Sequence, residues 1–400
     1  MADPRSQFLH TSIALLVERG RWAAAECMCR FALSQGVDSP QVRSALARIG
    51  REVGAAERRG AGGVLVIREW GCGFWSEVAH VLAGLLVADI CGRRPCVWWG
   101  PQSLYSDGAG NAWDHYFEPL DAGGLHDALR AGPVYPEKWQ AGGVLGPVIQ
   151  RWEGPGSRLA SVDVFARREP VVVLDFATSM VSILPWTPAS HPLGHLARAD
   201  VGDAVRVSVM SAYRALASTH LRVRAEHVER ARTWKAQHVG NAPTLGVHIR
   251  ASDKSGEYPL LAQENAKYPA MIDTALDRQP DLRVVLCTES KGVLEEYRRR
   301  YGGRIVASDS MRTSTDVGTH FLPLPDRVRL GVEALTDCLL LSMCDRFVGL
   351  ATSNLSLFAC HLRGWPAGEC TLLGVNIQAV TSGPAHAQPA IDELRAQGLL

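Results

Sequence analysis

Between residues 245 and 257 the chain reads LGVHIRASDKSGE, an apolar run that ends abruptly in His248, Arg250, Asp253, Lys254 and Glu257. Charge set directly after a buried strand marks the edge of an open α/β sheet, where loops carry chemistry while the strands stay rigid. A guanidinium and an ammonium at such an edge suit an anion, above all a phosphate. A second anion-seeking pattern follows the run RFVGL, where Ala351, Thr352, Ser353 and Asn354 precede a helix. Hydroxyls and unpaired backbone N–H groups gather there at a helix N-terminus. Taken alone, Thr352 or Ser353 also reads as a plain helix cap.

One helix earlier, Leu330, Ala334, Asp337, Leu341 and Cys344 share a stripe, so a carboxylate stands where the pattern asks for an apolar side chain. A charge on a buried stripe needs a partner. Two readings are equal on spacing alone. Asp337 either pairs with a nearby Arg such as Arg329, or accepts two parallel hydrogen bonds from the N1–H and N2–H2 edge of guanine, a donor pair that adenine, cytosine and uracil lack. His248 by itself reads as a satisfied buried histidine.

The elements that must hold these residues follow from periodicity. Residues 9–57 keep helical spacing on either side of a break at Gly36, which predicts a helical hairpin module the size of one tetratricopeptide unit. One such unit does not bury its own face, so it is expected to dock on the main body or on a protein partner. After a Gly- and Arg-rich linker, VLVIREW, PCVWW and VVVLDF read as buried strands, with a Gly-rich turn, GCGF, and a helix from Ser76 after the first. That helix sets Val78, Val81, Leu82, Leu85 and Leu86 on one stripe and Glu77, His80 and Gly84 on another face.

Residues 201–237 read as helical. Beyond them strands at 245–250, 282–288, 304–308, 346–350 and 371–375 alternate with helices at 262–277, 292–301, 326–343 and from Asn354. This rhythm predicts a parallel sheet covered on both faces. The expected fold class is α/β, with two Rossmann-like domains facing a cleft: a helical module at 1–58, an N-terminal Rossmann-like domain at 62–238 and a C-terminal Rossmann-like domain at 239–400.

Composition narrows the partners. With Lys+Arg 42 against Asp+Glu 41, the chain has no basic excess to release counterions from a polynucleotide, so no nucleic acid partner is expected. The N-terminus lacks the basic, apolar and small-residue order of a signal peptide. No integral membrane segment is expected, because the most apolar run, 80–91, is short and carries Asp89. Ten cysteines without a C-x-x-C pair read as reduced core thiols of a cytoplasmic protein, with Cys91 and Cys96 the pair to cross-link in an oxidising compartment.

Here the motifs reach a family. HIRASDK resembles the HVRRTDK signature of the α1,6-fucosyltransferases, which comprise the bacterial nodulation-factor enzyme and the animal core-fucosylating enzyme. LCTES, SDS at 308–310 and LTDCLLLSMCDRFVGLATSN follow in the family's order, the last similar to LDIHFLSQADFLVCTFSSQ. Upstream, WGCGFWSEVAHV resembles GCGFGCQLHHV, and NAWDHYFEP sits where W-x2-x-F-x-P is expected; the likeness covers 71–119 and 245–359.

The resemblance implies a GT-B-like fold, with 62–238 the acceptor-side domain and 239–400 the nucleotide-sugar-binding domain, and an inverting, metal-independent glycosyltransferase, with fucose moved from GDP-fucose to the hydroxyl of a glycan or small-molecule acceptor. The GDP-sugar is then a donor substrate and no cofactor is needed; no D-x-D motif occurs. By position, Arg250 binds the β-phosphate as GDP leaves, and Glu257 is the candidate general base. Asp337 reads guanine; His248, Thr352, Ser353, Asn354 and Gly73 complete the nucleotide-sugar set; Asp253 and Lys254 brace the loop.

One departure stands out: the family's second arginine is Ala251 here, which leaves Lys254 or Arg312 to supply the charge. That substitution keeps another GDP-linked or nucleotide-linked sugar open, and also a non-catalytic sugar-nucleotide-binding protein or an interaction protein acting through its N-terminal helices. The lack of a Golgi anchor and of the SH3-like module of animal members, with the added helical N-terminus, implies a different acceptor; a bacterial enzyme is expected. Trp70, Trp75, Trp98, Trp99 and Trp113 either stack on that acceptor or fill the core.

Overall fold

The computed structural model describes residues 4–18, 25, 28–29, 32–33, 36–57, 62–120, 125–146, 164, 167–175, 178–197, 203–251, 254–315, 317–322 and 324–379. Two parallel sheets organise the chain. The first contains β1 (Val64–Arg68), β2 (Arg94–Trp98), β3 (Val134–Tyr135) and β4 (Val171–Leu174) in the order β2-β1-β4-β3. The second contains β5 (Thr244–His248), β6 (Arg283–Cys287), β7 (Ile305–Val306), β8 (Arg346–Leu350) and β9 (Cys370–Leu373) in the order β7-β6-β5-β8-β9. Counted within its half, that second order is 3-2-1-4-5, the Rossmann winding. All pairings within both sheets are parallel.

The winding fixes where a ligand goes. Chain connections leave β5 and β8 in opposite directions, so a crevice opens past their carboxyl ends. In the first sheet β1 leads outward to β2, whereas β4, its other neighbour, is reached from the edge strand β3.

Burial follows the strand period. Leu65 and Ile67 face the helix Phe74–Cys91, while Val64 and Val66 face a second cluster built on Trp139. One core runs through both halves, because Trp75 stacks on Phe358 at 4.7 Å and its Nε1 donates to Ala334 O at 3.0 Å. Gly331 permits a further crossing: a Cβ there would lie 2.5 Å from the Tyr116 ring.

By length and composition alone Phe74–Cys91 is apolar enough to cross a membrane. Its faces are instead covered by β1, β2, the helix Asp203–His220 and the helix Asn354–Leu362. Of the N-terminal module, helices Pro4–Glu18 and Pro40–Glu57 are described; His10 Nε2 meets Ser39 Oγ at 2.7 Å, and Gly50 lies against Trp186 of the main body.

Several expected elements differ in detail. The helix expected over 262–277 is two, Leu261–Asn265 and Tyr268–Arg278, because Pro269 starts a new first turn. The region 201–237 likewise splits into Asp203–His220 and Ala225–His238. Cys91 and Cys96 are not joined in a disulfide.

Candidate active site

A cleft of about 360 Å³ opens between the two sheets. The first half contributes Trp70, Gly73, Phe74, Trp75 and Tyr105, and the second contributes His248, Arg250, Lys254, Asp337 and Thr352–Asn354.

β5 delivers His248 and Arg250 to this cleft. The His248 imidazole is buried; its Nδ1 sits 2.6 Å from Ser356 Oγ, which also accepts from Leu350 N at 3.0 Å. Gly349 makes the approach possible, since a Cβ there would meet Ser356 Oγ at 2.6 Å. Burial, helped by the Arg250 charge, lowers the His248 pKa to about 3, so the ring is neutral at ordinary pH and serves as a wall.

Arg250 is anchored by a residue absent from the expected site. Glu289, in the loop after β6, lies 2.7 Å from Arg250 Nη1 and accepts from Ala251 N at 2.8 Å through the same Oε1. Asn265 Nδ2 donates to Arg250 O at 2.9 Å. One carboxylate thus fixes both the Arg250 guanidinium and the backbone at Ala251. Glu289 belongs to the LCTES motif, whose conspicuous position after a buried strand was the available signal.

Asp337 also has unforeseen partners. Ser308 Oγ and Ser310 Oγ donate to its Oδ1 at 2.6 and 3.0 Å, and Oδ2 takes no hydrogen bond from the described residues. Arg329, one of the two partners weighed for it, pairs with Glu333 at 2.7 Å instead. Burial raises the Asp337 pKa; the two serine bonds and the Arg312 charge oppose it. Arg312 donates to the carbonyls of Ser310 and Ser308 at 2.7 and 2.9 Å, so it braces the serine loop, whereas Lys254 lines the cleft.

Past β8, the helix Asn354–Leu362 points its N-terminus into the cleft. Ser353 occupies the cap position without a side-chain cap bond, and Thr352 Oγ1 is buried with no partner among the described residues. Capping therefore does not account for these hydroxyls. Asn354 Oδ1 is held by Gln378 Nε2 at 3.0 Å.

From the opposite wall, Gly73 caps the helix Phe74–Cys91. The turn before it wraps around the Glu77 carboxylate, which accepts from Trp70 N at 2.9 Å, Cys72 N at 2.8 Å and also Gly71 N. These N–H groups are thereby committed to holding the turn. His80 behind it donates from Nε2 to Arg68 O and accepts from Thr178 N through Nδ1, both at 3.0 Å.

Burial pushes Glu77 from 4.5 up to about 7 against the pull of its three N–H donors. The folded state holds that proton more tightly, so the group's contribution to stability is complete below about 4.5 and is lost as pH rises through about 7. Urea unfolding should show wild type losing on the order of 3 kcal/mol relative to Glu77→Gln between about pH 4.5 and about pH 8. A pH-independent difference would remove this titration from the loop.

Of the five tryptophans considered for the acceptor, Trp99 and Trp113 are core residues, and Trp98 is absent from the cleft lining. Trp75 is 3% exposed and bridges the halves; Trp70 is half-buried in the wall. Asp253 lies outside the described residues. Glu257 ends the short helix Lys254–Glu257, which starts at the cleft, and its side chain is likewise not described. Among the described residues, no group of three or more His, Cys, Asp or Glu is arranged to hold a metal.

No family model matches this chain, and no curated protein matches it. Solved structures similar to it include NodZ α1,6-fucosyltransferase co-crystallised with GDP, at 20% identity over 76% of this chain and 93% of that one, TM-score 0.49. Fucosyltransferase NodZ from Bradyrhizobium matches at 18% identity over 76% and 94%, TM-score 0.48. POFUT1 in its apo form matches at 13% over 78% and 98%, TM-score 0.46. Likeness at this level assigns no activity to the chain.

Proposed function

We propose that the cleft binds a GDP-sugar, with fucose as the first choice of sugar, and transfers it with inversion to an acceptor hydroxyl without a metal ion. The observation that carries this reading is the joint placement of a serine-braced carboxylate, Asp337, and a carboxylate-braced guanidinium, Arg250, in one cleft with a helix N-terminus. Asp337 suits the paired donors of guanine. Arg250, Lys254 and the amides of the helix Asn354–Leu362 suit the diphosphate, with Thr352 and Ser353 adding hydroxyls. The order HIRASDK, LCTES, SDS and ATSN along the chain supports the same reading.

The chemistry follows from those placements. The acceptor oxygen attacks the anomeric carbon opposite the departing GDP, and Glu257 is the proposed base for its proton. Negative charge grows on the β-phosphate as the bond breaks, and Arg250 and Lys254 neutralise it where it develops. These cations perform the role a divalent ion would otherwise take.

Thermal unfolding with GDP, UDP, TDP and CDP in turn, with EDTA present, tests the reading. A ligand at a hundredfold excess over its Kd stabilises the folded state by about 2.7 kcal/mol. A rise in Tm with GDP alone is expected, followed by transfer from GDP-fucose. A rise with another nucleotide alone would replace the guanine reading, and GDP binding without turnover of any GDP-sugar would make the cleft a binding site only.

A further inference from the structure

Behind the anion-binding end of the helix Asn354–Leu362 stands a pair of thiols that the proposed reaction does not use. Cys360 Sγ, on that helix, lies 3.5 Å from Cys370 Sγ, the first residue of β9. β9 is the edge strand of its sheet, and Cys370 is half-buried, whereas Cys360 is 3% exposed. Arg214, from the helix Asp203–His220, donates to Cys360 O at 3.0 Å and sets a guanidinium beside the pair. An accessible thiol, a buried thiol in contact with it and a cation alongside are the parts of a dithiol exchange site.

We propose that Cys370 is a thiol–disulfide exchange site for low-molecular-weight disulfides and that Cys360 resolves the mixed disulfide into an intramolecular cross-link. The Cys370 thiolate attacks one sulfur of a disulfide such as oxidised glutathione and expels one glutathione thiolate. Cys360 then gives up its proton and attacks Cys370 Sγ, which expels the second glutathione. Two protein thiols are oxidised, one glutathione disulfide is reduced, and the two thiol protons end on the two glutathiones. The sulfurs must close by about 1.5 Å to reach bonding distance, a shift within the range of side-chain rotation.

The electrostatics match the roles. Donation from Cys360 lowers the Cys370 pKa, with Arg214 assisting and burial opposing. The same contact, joined by burial, pushes Cys360 up. Elsewhere burial is the main cause that makes thiols unreactive: with neighbouring negative charge adding to it, it pushes Cys96 up to about 11 and Cys344 up to about 12, and raises Cys287 and Cys338 well above the ordinary value.

The native full-length chain, treated with oxidised glutathione, alkylated and digested, provides the test. The expected product is a cross-linked peptide pair containing Cys360 and Cys370, with an intact mass lower by two hydrogens. Cys360→Ser should stop at one glutathione on Cys370, and Cys370→Ser should leave Cys360 reduced. The proposal is overturned if wild type keeps both thiols alkylated, if glutathione settles first on Cys72 or another thiol, or if Cys360→Ser leaves Cys370 unmodified. The wild-type peptide map needs no variant, so a poorly folding substitution does not decide the matter.

Discussion

Replacing Arg250 by lysine will lower kcat for sugar transfer by about 10²–10³-fold, the loss seen when one preorganised donor is taken from a developing oxyanion. The charge survives in that variant, but the planar fork does not, and a flexible ammonium holds a phosphate oxygen less rigidly than a guanidinium anchored at 2.7 Å by Glu289. Because the effect falls on charge that appears only as GDP leaves, kcat should drop far more than KM for the donor rises. Glu289→Gln supplies the comparison: its amide oxygen still accepts from Ala251 N, yet the guanidinium loses its counter-charge. A smaller fall in kcat, of about 10-fold, with GDP affinity nearly kept, is expected of a positioning residue. Steady-state rates for the two variants, with unliganded Tm values to confirm folding, check both. Equal kcat in wild type and Arg250→Lys would remove Arg250 from the transition state.

How far the sequence reveals this arrangement depends on the range of each interaction. The second sheet was legible because strands such as Arg346–Leu350 are short apolar runs between helices of clear period. Its winding is a long-range property that periodicity does not encode; the reversal between β5 and β8 shows why the two anion-seeking loops meet. Asp337 announced itself as a charge on an apolar stripe, whereas Ser308 and Ser310 reach it from 29 and 27 residues away. Glu289 likewise meets Ala251 across 38 residues, and no local rule links them.

Short-range signals leave the choice open where two roles share one residue type. The cap-like residues Thr352 and Ser353 make no cap bond, and the tryptophans near the cleft are mainly core. Glu77 read as a helix-face residue, but it closes the Gly-rich turn through three backbone N–H groups. Pro269 was an overlooked local signal: it restarts a helix that apolar spacing alone joins to the one before. The common core also bears on motion. With Trp75 stacked on Phe358 and Tyr116 pressed on Gly331, hinge motion of the halves would have to break buried contacts.

Asp337→Asn should weaken GDP binding by about 10–100-fold, because a hydrogen bond to a charged group contributes about 1.5–3 kcal/mol. Guanine offers two adjacent donors, and a carboxylate accepts both, whereas an amide meets one of them with a donor of its own. The unfolded cost is small by comparison, since an amide oxygen still takes the Ser308 and Ser310 hydroxyls that converge on Oδ1. Inosine diphosphate, which lacks the N2 amino group, should bind wild type more weakly than GDP, and the variant should lose most of that preference. Acidity must act in the same direction. Burial raises the Asp337 pKa, and a protonated carboxyl loses one acceptor, so GDP affinity is full above that pKa and falls as pH drops through it. Calorimetric titration of both proteins with both nucleotides from neutral to mildly acid pH separates the possibilities. A wild type that binds inosine and guanosine diphosphates equally, or a variant that keeps the wild-type fall with acidity, would place the base elsewhere in the cleft.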